Sequence, residues 1–281
     1  MREAAFIRQS IGLWCLRVRA AFMTGLSGAQ RCATRCANVS HSTSLRLGQV
    51  LFGLRSLTPV PVVIVCLYVL WASVGQITGA LETALAALGL LLASTGQALR
   101  VFTLGWVPEG TSGQNLTIQA TTLNTRGPYS YVRNPLYAGN FGIVAGLLCI
   151  AGNWAVAAIG LVFFFAEYFF IIRAEEHFLR TKFGAAFDEF AAKVPRWLPR
   201  TTAAYAGGRL RDGGFDWRRA LKKEINPFAA WVSGAVAVVL WQRWSRGTLE
   251  GALLIALAGA WSLTMLALLV IKAWKKGWVS S

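Results

Sequence analysis

Carboxylates are scarce in this chain. It has 12 Asp and Glu against 28 Lys and Arg, a formal charge of +16, and no acidic residue lies between Glu3 and Glu82. Charge of either sign is thin, at 14% against 55% hydrophobic residues, and the mean hydropathy of +0.49 excludes an ordinary soluble domain. Histidine is nearly missing, with two in the chain. The five Cys residues stand at 15, 32, 36, 66 and 149. Cys32 and Cys36 have a loose metal-like spacing, but no second His or Cys pair completes a site. Cys66 and Cys149 lie in apolar runs, where a thiol behaves as a small hydrophobe. Five unpaired thiols are expected, with no structural disulfide and no metal centre. An internal repeat is missing too, and Glu167 is the one carboxylate deep in an apolar run. Both facts count against a transporter or another non-enzymatic membrane protein, since transporters show repeated halves or ionisable groups at mid-membrane.

Apolar runs are what the chain does have. About 20 apolar residues cross the hydrocarbon core of a bilayer. Runs near that length occupy Leu57–Gly75, Ala80–Phe102, Leu136–Ile150, Trp154–Ile172, Ile225–Trp241 and Leu249–Ile271. The expectation is an all-α, polytopic transmembrane bundle of about six spans, with a cytoplasmic helical segment against it. The 12 Trp residues suit membrane–water interfaces, where an amphipathic ring sits half wet. Four regions follow from the pattern: a basic tail over 1–48, disordered or interfacial; a core of four spans plus a cytoplasmic helix over 49–200; a basic linker over 201–224; and a two-span hairpin over 225–281. The acid-poor, Arg-containing tail is similar to a transit peptide, but a cytoplasmic tail accounts for it as well.

The basic residues occur in blocks between the apolar runs, which fits loops facing anionic lipid headgroups and not a nucleic-acid-binding face. With both termini cytoplasmic, every Lys and Arg except Arg243 and Arg246 falls on the cytoplasmic side. The sequons at Asn38 and Asn115 then face the cytoplasm and are discounted.

Two stretches carry chemistry. The first contains Gly127-Pro128, a turn, and Arg133-Asn134-Pro135-Leu136-Tyr137-Ala138-Gly139. Asn134-Pro135 keeps the chain extended before a span, so Arg133 stands beside the free N–H groups of a helix start, where an anion is favoured. Gly139, Gly142 and Gly146 form one small face on that span, suited to close helix packing or to a ligand against the backbone. The second stretch contains Glu175-Glu176-His177, then Phe183-Gly184 and Val194-Pro195-Arg196. Leu179, Phe183, Phe187, Phe190 and Val194 recur at helical spacing, an apolar face for the membrane or the bundle. The two carboxylates continue directly from a span, where an unpaired charge is costly. They pair with Arg173 or Arg180, or they hold a cationic ligand group. His177 is an interfacial partner in this reading.

In order and spacing these stretches resemble the isoprenylcysteine carboxyl methyltransferase family, whose core the phospholipid N-methyltransferases share. The resemblance runs from about Leu81 to Pro199 and takes in Gly96 to Arg100. It implies a membrane-embedded methyltransferase that uses S-adenosylmethionine on a lipid-like acceptor drawn from the bilayer, by O-methylation of an isoprenylcysteine-type carboxylate or by phospholipid N-methylation. It also implies a cofactor pocket formed by Arg133, Asn134, Pro135, Tyr137 and Gly139, with Glu175 and Glu176 opposite. One Glu of the pair is suited to the cofactor's ammonium and Arg133 to its carboxylate. The chain departs from the family in having Asn134 where His is typical, and Phe187 and Phe190 where Tyr is common. Asn does not titrate near neutral pH, so no catalytic base is assigned. Sterol-reductase-type membrane proteins resemble the same core and bind NADPH; Arg196 and Arg200 would serve the nucleotide phosphates in that case.

Overall fold

Proline and glycine set the limits of the helices. The computed structural model describes residues 43–72, 76–108, 118–205 and 214–277, and those residues form eight α-helices and one 3-10 turn. The expectations for the basic tail before residue 43, for Cys15, Cys32 and Cys36, for both sequons and for the linker over 206–213 lie outside the described residues. The chain divides into two compact units, Met1–Leu47 and Gly48–Ser281. Of the first, only the opening turn of α1 (Thr43–Leu54) is described.

In the second unit α1 ends at Leu54 and α2 (Pro59–Trp71) departs from it at 73°. Prolines open α2, and a proline lacks only an N–H that the first helical turn leaves unpaired in any case. Next come α3 (Ala80–Trp106), the 3-10 turn Gly127–Ser130, α4 (Pro135–Ala151), α5 (Trp154–Phe183), α6 (Ala185–Lys193), α7 (Trp217–Ser245) and α8 (Gly251–Gly277). The fold is all-helical, as expected, but the span count is lower than six. Four helices, α3, α5, α7 and α8, are long and apolar enough to cross a membrane, and the bent pair α1–α2 makes a fifth if taken as one span. α4 has 17 residues, about 26 Å at 1.5 Å per residue. Pro135 starts it, and Gly152, at φ 53°, stops it in the left-handed region that favours glycine.

α3 and α4 approach each other backbone to backbone. A Cβ on Gly96 would lie 2.5 Å from the Gly139 carbonyl oxygen, and one on Gly89 would lie 2.5 Å from that of Gly146. A Cβ on Gly142 would meet the Gly96 Cα at 3.0 Å. The small face of Gly139, Gly142 and Gly146 is therefore spent on helix packing, with Gly89, Ala93 and Gly96 as its complement.

Two departures concern helix ends. The expected amphipathic stretch Leu179–Val194 is broken at Gly184 (φ 55°), and its apolar face is buried against the chain, Phe187, Phe190 and Val194 packing with Leu123, Ala204 and Tyr205. α7 begins eight residues before the expected Ile225, because the Asp216 carboxylate accepts from Arg219 N at 3.0 Å and caps it. The last turns of the expected linker are thus helical, and Pro227 lies inside the helix.

The end of the bundle remote from Arg133 is pinned by polar contacts. Asn153 caps α5 through Ala155 N and Val156 N, both at 3.0 Å. Gln242 donates to Ala151 O at 2.9 Å. Glu82 at the start of α3 pairs with Arg246 at 2.8 Å and Arg243 at 3.3 Å, so the two basic residues set apart by the charge pattern share one counter-ion.

Replacing Gly96 by Val forces α3 and α4 apart, and overpacking of this kind costs about 1–3 kcal/mol or more. A clear fall in melting temperature in detergent is expected. Gly234→Ala on α7, where an added Cβ meets nothing within 4 Å, is expected to leave it unchanged or slightly raised. Equal effects from the two would refute the close approach.

Candidate functional site

The glycine contact places Arg100 of α3 beside the first turns of α4. A Cβ on Gly139 would fall 2.5 Å from Arg100 Cγ, so the small residue makes room for the arginine stem. The guanidinium then binds two partners through three donors. Nε and Nη2 donate to the two Glu224 carboxylate oxygens at 2.9 and 2.6 Å, the bidentate geometry that suits Arg and carboxylate. Nη1 donates to Asn140 Oδ1, and Asn140 Nδ2 donates to the Tyr168 hydroxyl at 2.7 Å. Glu224, on α7, also accepts from Gln97 Nε2 at 2.8 Å. Four helices meet in this one network.

A second charged group lies at the end of α5. The Glu176 carboxylate takes both Nε (2.9 Å) and Nη2 of Arg196, and Arg133 Nη1 approaches it at 3.2 Å. The backbone follows the same pairing. Arg133 N donates to Pro195 O at 2.8 Å, Asn134 Nδ2 donates to Arg196 O at 3.2 Å, and Ala204 N donates to Ser130 O at 2.8 Å. The two motifs distant in sequence, Arg133-Asn134 and Pro195-Arg196, are thus laced into one wall. The hydrogen bond from Arg196 to Glu176 raises the arginine's affinity for its proton.

Between these groups lies a cavity of about 220 Å³, several times the ~30 Å³ share of one water. Of the seven residues expected at a cofactor pocket, Arg133, Asn134, Tyr137 and Glu175 line it. Pro135, Gly139 and Glu176 stand behind it: Pro135 starts α4, Gly139 admits Arg100, and Glu176 holds Arg133. The two neighbouring carboxylates therefore differ in position. Glu176 faces the arginines, and Glu175 faces the cavity, with the Tyr137 hydroxyl bonded to it and Arg55 in electrostatic range. The ring of Tyr137 lies 4.8 Å from that of Tyr168, which joins the α4–α5 wall to the Arg100 network. Tyr129 also lines the cavity; burial and the nearby Glu175 charge push its hydroxyl well above the usual range, Arg100 opposing, so it remains a neutral donor. Arg133 Nε is buried without a hydrogen-bond partner. A buried donor left unpaired is costly, and this one is carried by a cavity residue.

Sequence reasoning missed Arg55, Tyr129, Asn140, Lys223 and Glu224 as cavity residues. Asn140 stands next to the noted Gly139 and was within reach of the motif. Glu224 had no local signal, because its partner is 124 positions away.

Helices long and apolar enough to cross a membrane, packed round a polar cavity bounded by these two motifs, are those of an integral membrane protein. Residues 83–186, from α3 to the first turn of α6, match the model of the phospholipid methyltransferase family. Two curated relatives are similar over 113 residues, 40% of this chain. The nickel-cobalt-cadmium resistance protein NccN of Alcaligenes xylosoxydans xylosoxydans is 35% identical there. The cobalt-zinc-cadmium resistance protein CzcN of Cupriavidus metallidurans is 34% identical. The chain spans about half the length of these curated relatives, 47% in each case. No solved structure matches the chain at a comparable level.

Glu176→Ala leaves Arg133 and Arg196 without their counter-ion in a partly buried place, and breaking such a pair costs more than the pair itself contributes. It is expected to lower the melting temperature, whereas Glu175→Gln is expected to leave it nearly unchanged. The reverse order would show that the two carboxylates have been assigned the wrong way round.

Proposed function

We propose that the chain is an S-adenosylmethionine-dependent methyltransferase acting on a lipid-like acceptor that reaches the cavity from the bilayer. The observation that carries the reading is the pairing of Glu175 and Arg133 on one cavity inside the matched family segment. The cofactor's methionine end is a zwitterion. Glu175 is suited to the ammonium, and the guanidinium of Arg133, which lines the same cavity, to the carboxylate. Bound there, S-adenosylmethionine supplies a methyl group on a sulfonium centre, ready for in-line displacement.

The chain's own residues bind and orient. Glu176 holds Arg133 from behind, Tyr137 holds Glu175, and the rings of Phe52 and Phe190 on the cavity wall keep water out, which strengthens charge interactions inside. No titrating group stands at position 134. A carboxylate acceptor is already nucleophilic and fits that lack, which supports O-methylation of an isoprenylcysteine-type acceptor. The phospholipid family description supports a second acceptor class, a phospholipid amine, which must lose a proton before or during transfer. Cofactor access from the cytoplasmic side, with both termini there and the basic segments against anionic headgroups, completes the proposal.

The reductase alternative relied on Arg196 and Arg200. Arg196 is engaged by Glu176, and Arg200 Nη1 donates to Lys193 O at 2.6 Å, which weakens that reading. The names of the relatives concern metal resistance. Among the described residues, however, no group of three or more His, Cys, Asp or Glu is placed to hold a metal ion, and methylation is the chemistry that this cavity supports.

Equilibrium titration of the purified protein with S-adenosylmethionine, with NADPH in parallel, tests the proposal. Saturable binding of the first is expected, weakened at least tenfold by Glu175→Gln or by Arg133→Ala. Binding of NADPH alone would give the site to the reductases, and binding of neither would remove the enzymatic reading.

A further inference from the structure

One wall of the cavity comes from outside the matched family segment. That match ends at residue 186, yet α7 contributes Lys223 and Glu224 to the lining. Glu224 is 2% exposed and receives three hydrogen bonds, two from Arg100 and one from Gln97. Gln97 is itself fixed by Trp231 Nε1 of α7 at 3.1 Å.

Arg100 also lines the cavity, where the described residues include one other carboxylate, Glu175. Tyr129 lies within electrostatic range of both Arg100 and Glu175, so cation and carboxylate share one small volume. Glu224 reaches Glu175 by a second route as well. Arg100 fixes Asn140, Asn140 fixes Tyr168, and the ring of Tyr168 packs tilted against that of Tyr137, whose hydroxyl is bonded to Glu175. A buried guanidinium deprived of its carboxylate seeks another, because an unpaired buried charge is strongly unfavourable.

Resting on the methyltransferase reading, we propose that Glu224 is a positioning residue: it holds Arg100 against α7, so that Glu175 is left for the cationic end of the ligand. The C-terminal hairpin is then part of the binding site and more than an anchor. Arg100 without Glu224 turns into the cavity and takes the carboxylate that the ligand's ammonium requires.

The test uses the full-length protein in detergent, with S-adenosylmethionine as the titrant and the melting temperature read in parallel. Glu224→Gln is expected to raise the Kd tenfold or more, and Glu224→Asp to stay within a few-fold of the parent. Removing the competing cation as well, in Arg100→Met/Glu224→Gln, is expected to recover most of the lost affinity, which a merely structural Glu224 would not do. Parental affinity in Glu224→Gln, or a double variant that binds no better than Glu224→Gln, overturns the proposal. Should Glu224→Gln not fold, the double variant is compared with Arg100→Met alone. Equal affinities support action through Arg100, and a further loss overturns it. If the parent protein binds no S-adenosylmethionine, the methyltransferase reading itself has failed, and the coupling is read from stability. Non-additive melting shifts for Glu224→Gln and Glu175→Gln then support the link through Arg100, and additive shifts overturn it.

Discussion

The backbone contact between α3 and α4 is the constraint on which the rest of the structure depends. It exists because Gly89 and Gly96 on one helix meet Gly146 and Gly139 on the other with no Cβ between them. In lipid there is no hydrophobic drive to bring helices together, so close van der Waals packing of small residues takes its place. The contact also decides where charge goes. With the backbones this close, the Arg100 stem passes over Gly139 and its guanidinium emerges between α4 and α7. A bulkier face on either helix would displace the arginine, and with it the hydrogen-bond chain that reaches Tyr168.

Burial of charge follows one rule throughout. Glu224 is matched by Arg100, Glu176 by Arg133 and Arg196, Glu82 by Arg243 and Arg246, and Glu167 by the Thr58 hydroxyl at the α1–α2 bend. In a chain with 12 carboxylates and 28 basic side chains, carboxylates are the scarce partner, and several of them sit where helices must be joined. Glu175 departs from the pattern. Its hydrogen-bond partner is a neutral phenol, Tyr137, and a cation, Arg55, acts on it only through space.

Much of this was legible in the sequence. Asn134-Pro135 and Ala151-Gly152-Asn153 marked the two ends of α4, because a proline and a left-handed glycine leave little choice of conformation. The glycine face of α4 was visible by its spacing, although its partner on α3 was not, since a periodicity names a face and not its neighbour. The Glu175-Glu176 pair was found as a unit but not divided. Adjacent helical residues point about 100° apart, and only the rotation of α5 about its axis decides which one meets Arg196. The start of α7 was hidden in a basic segment that looked like a linker, and it is the Asp216 cap that makes it helical. Glu224 was illegible for a deeper reason: its partners Gln97 and Arg100 lie more than 120 positions away, a contact that the tertiary fold creates.

The difference in length between neighbouring helices bears on the bilayer itself. α5 has 30 residues, about 45 Å, and α4 beside it only about 26 Å at the same rise per residue, against a hydrocarbon core of ~30 Å. Such a short element is accommodated by local thinning of the membrane or by sinking of its ends below the headgroups. Because the cavity is lined by the first turns of α4, from Asn134 to Asn140, its depth in the bilayer follows the thickness of the surrounding lipid. The height of the site is then set by the membrane, and not by the protein alone.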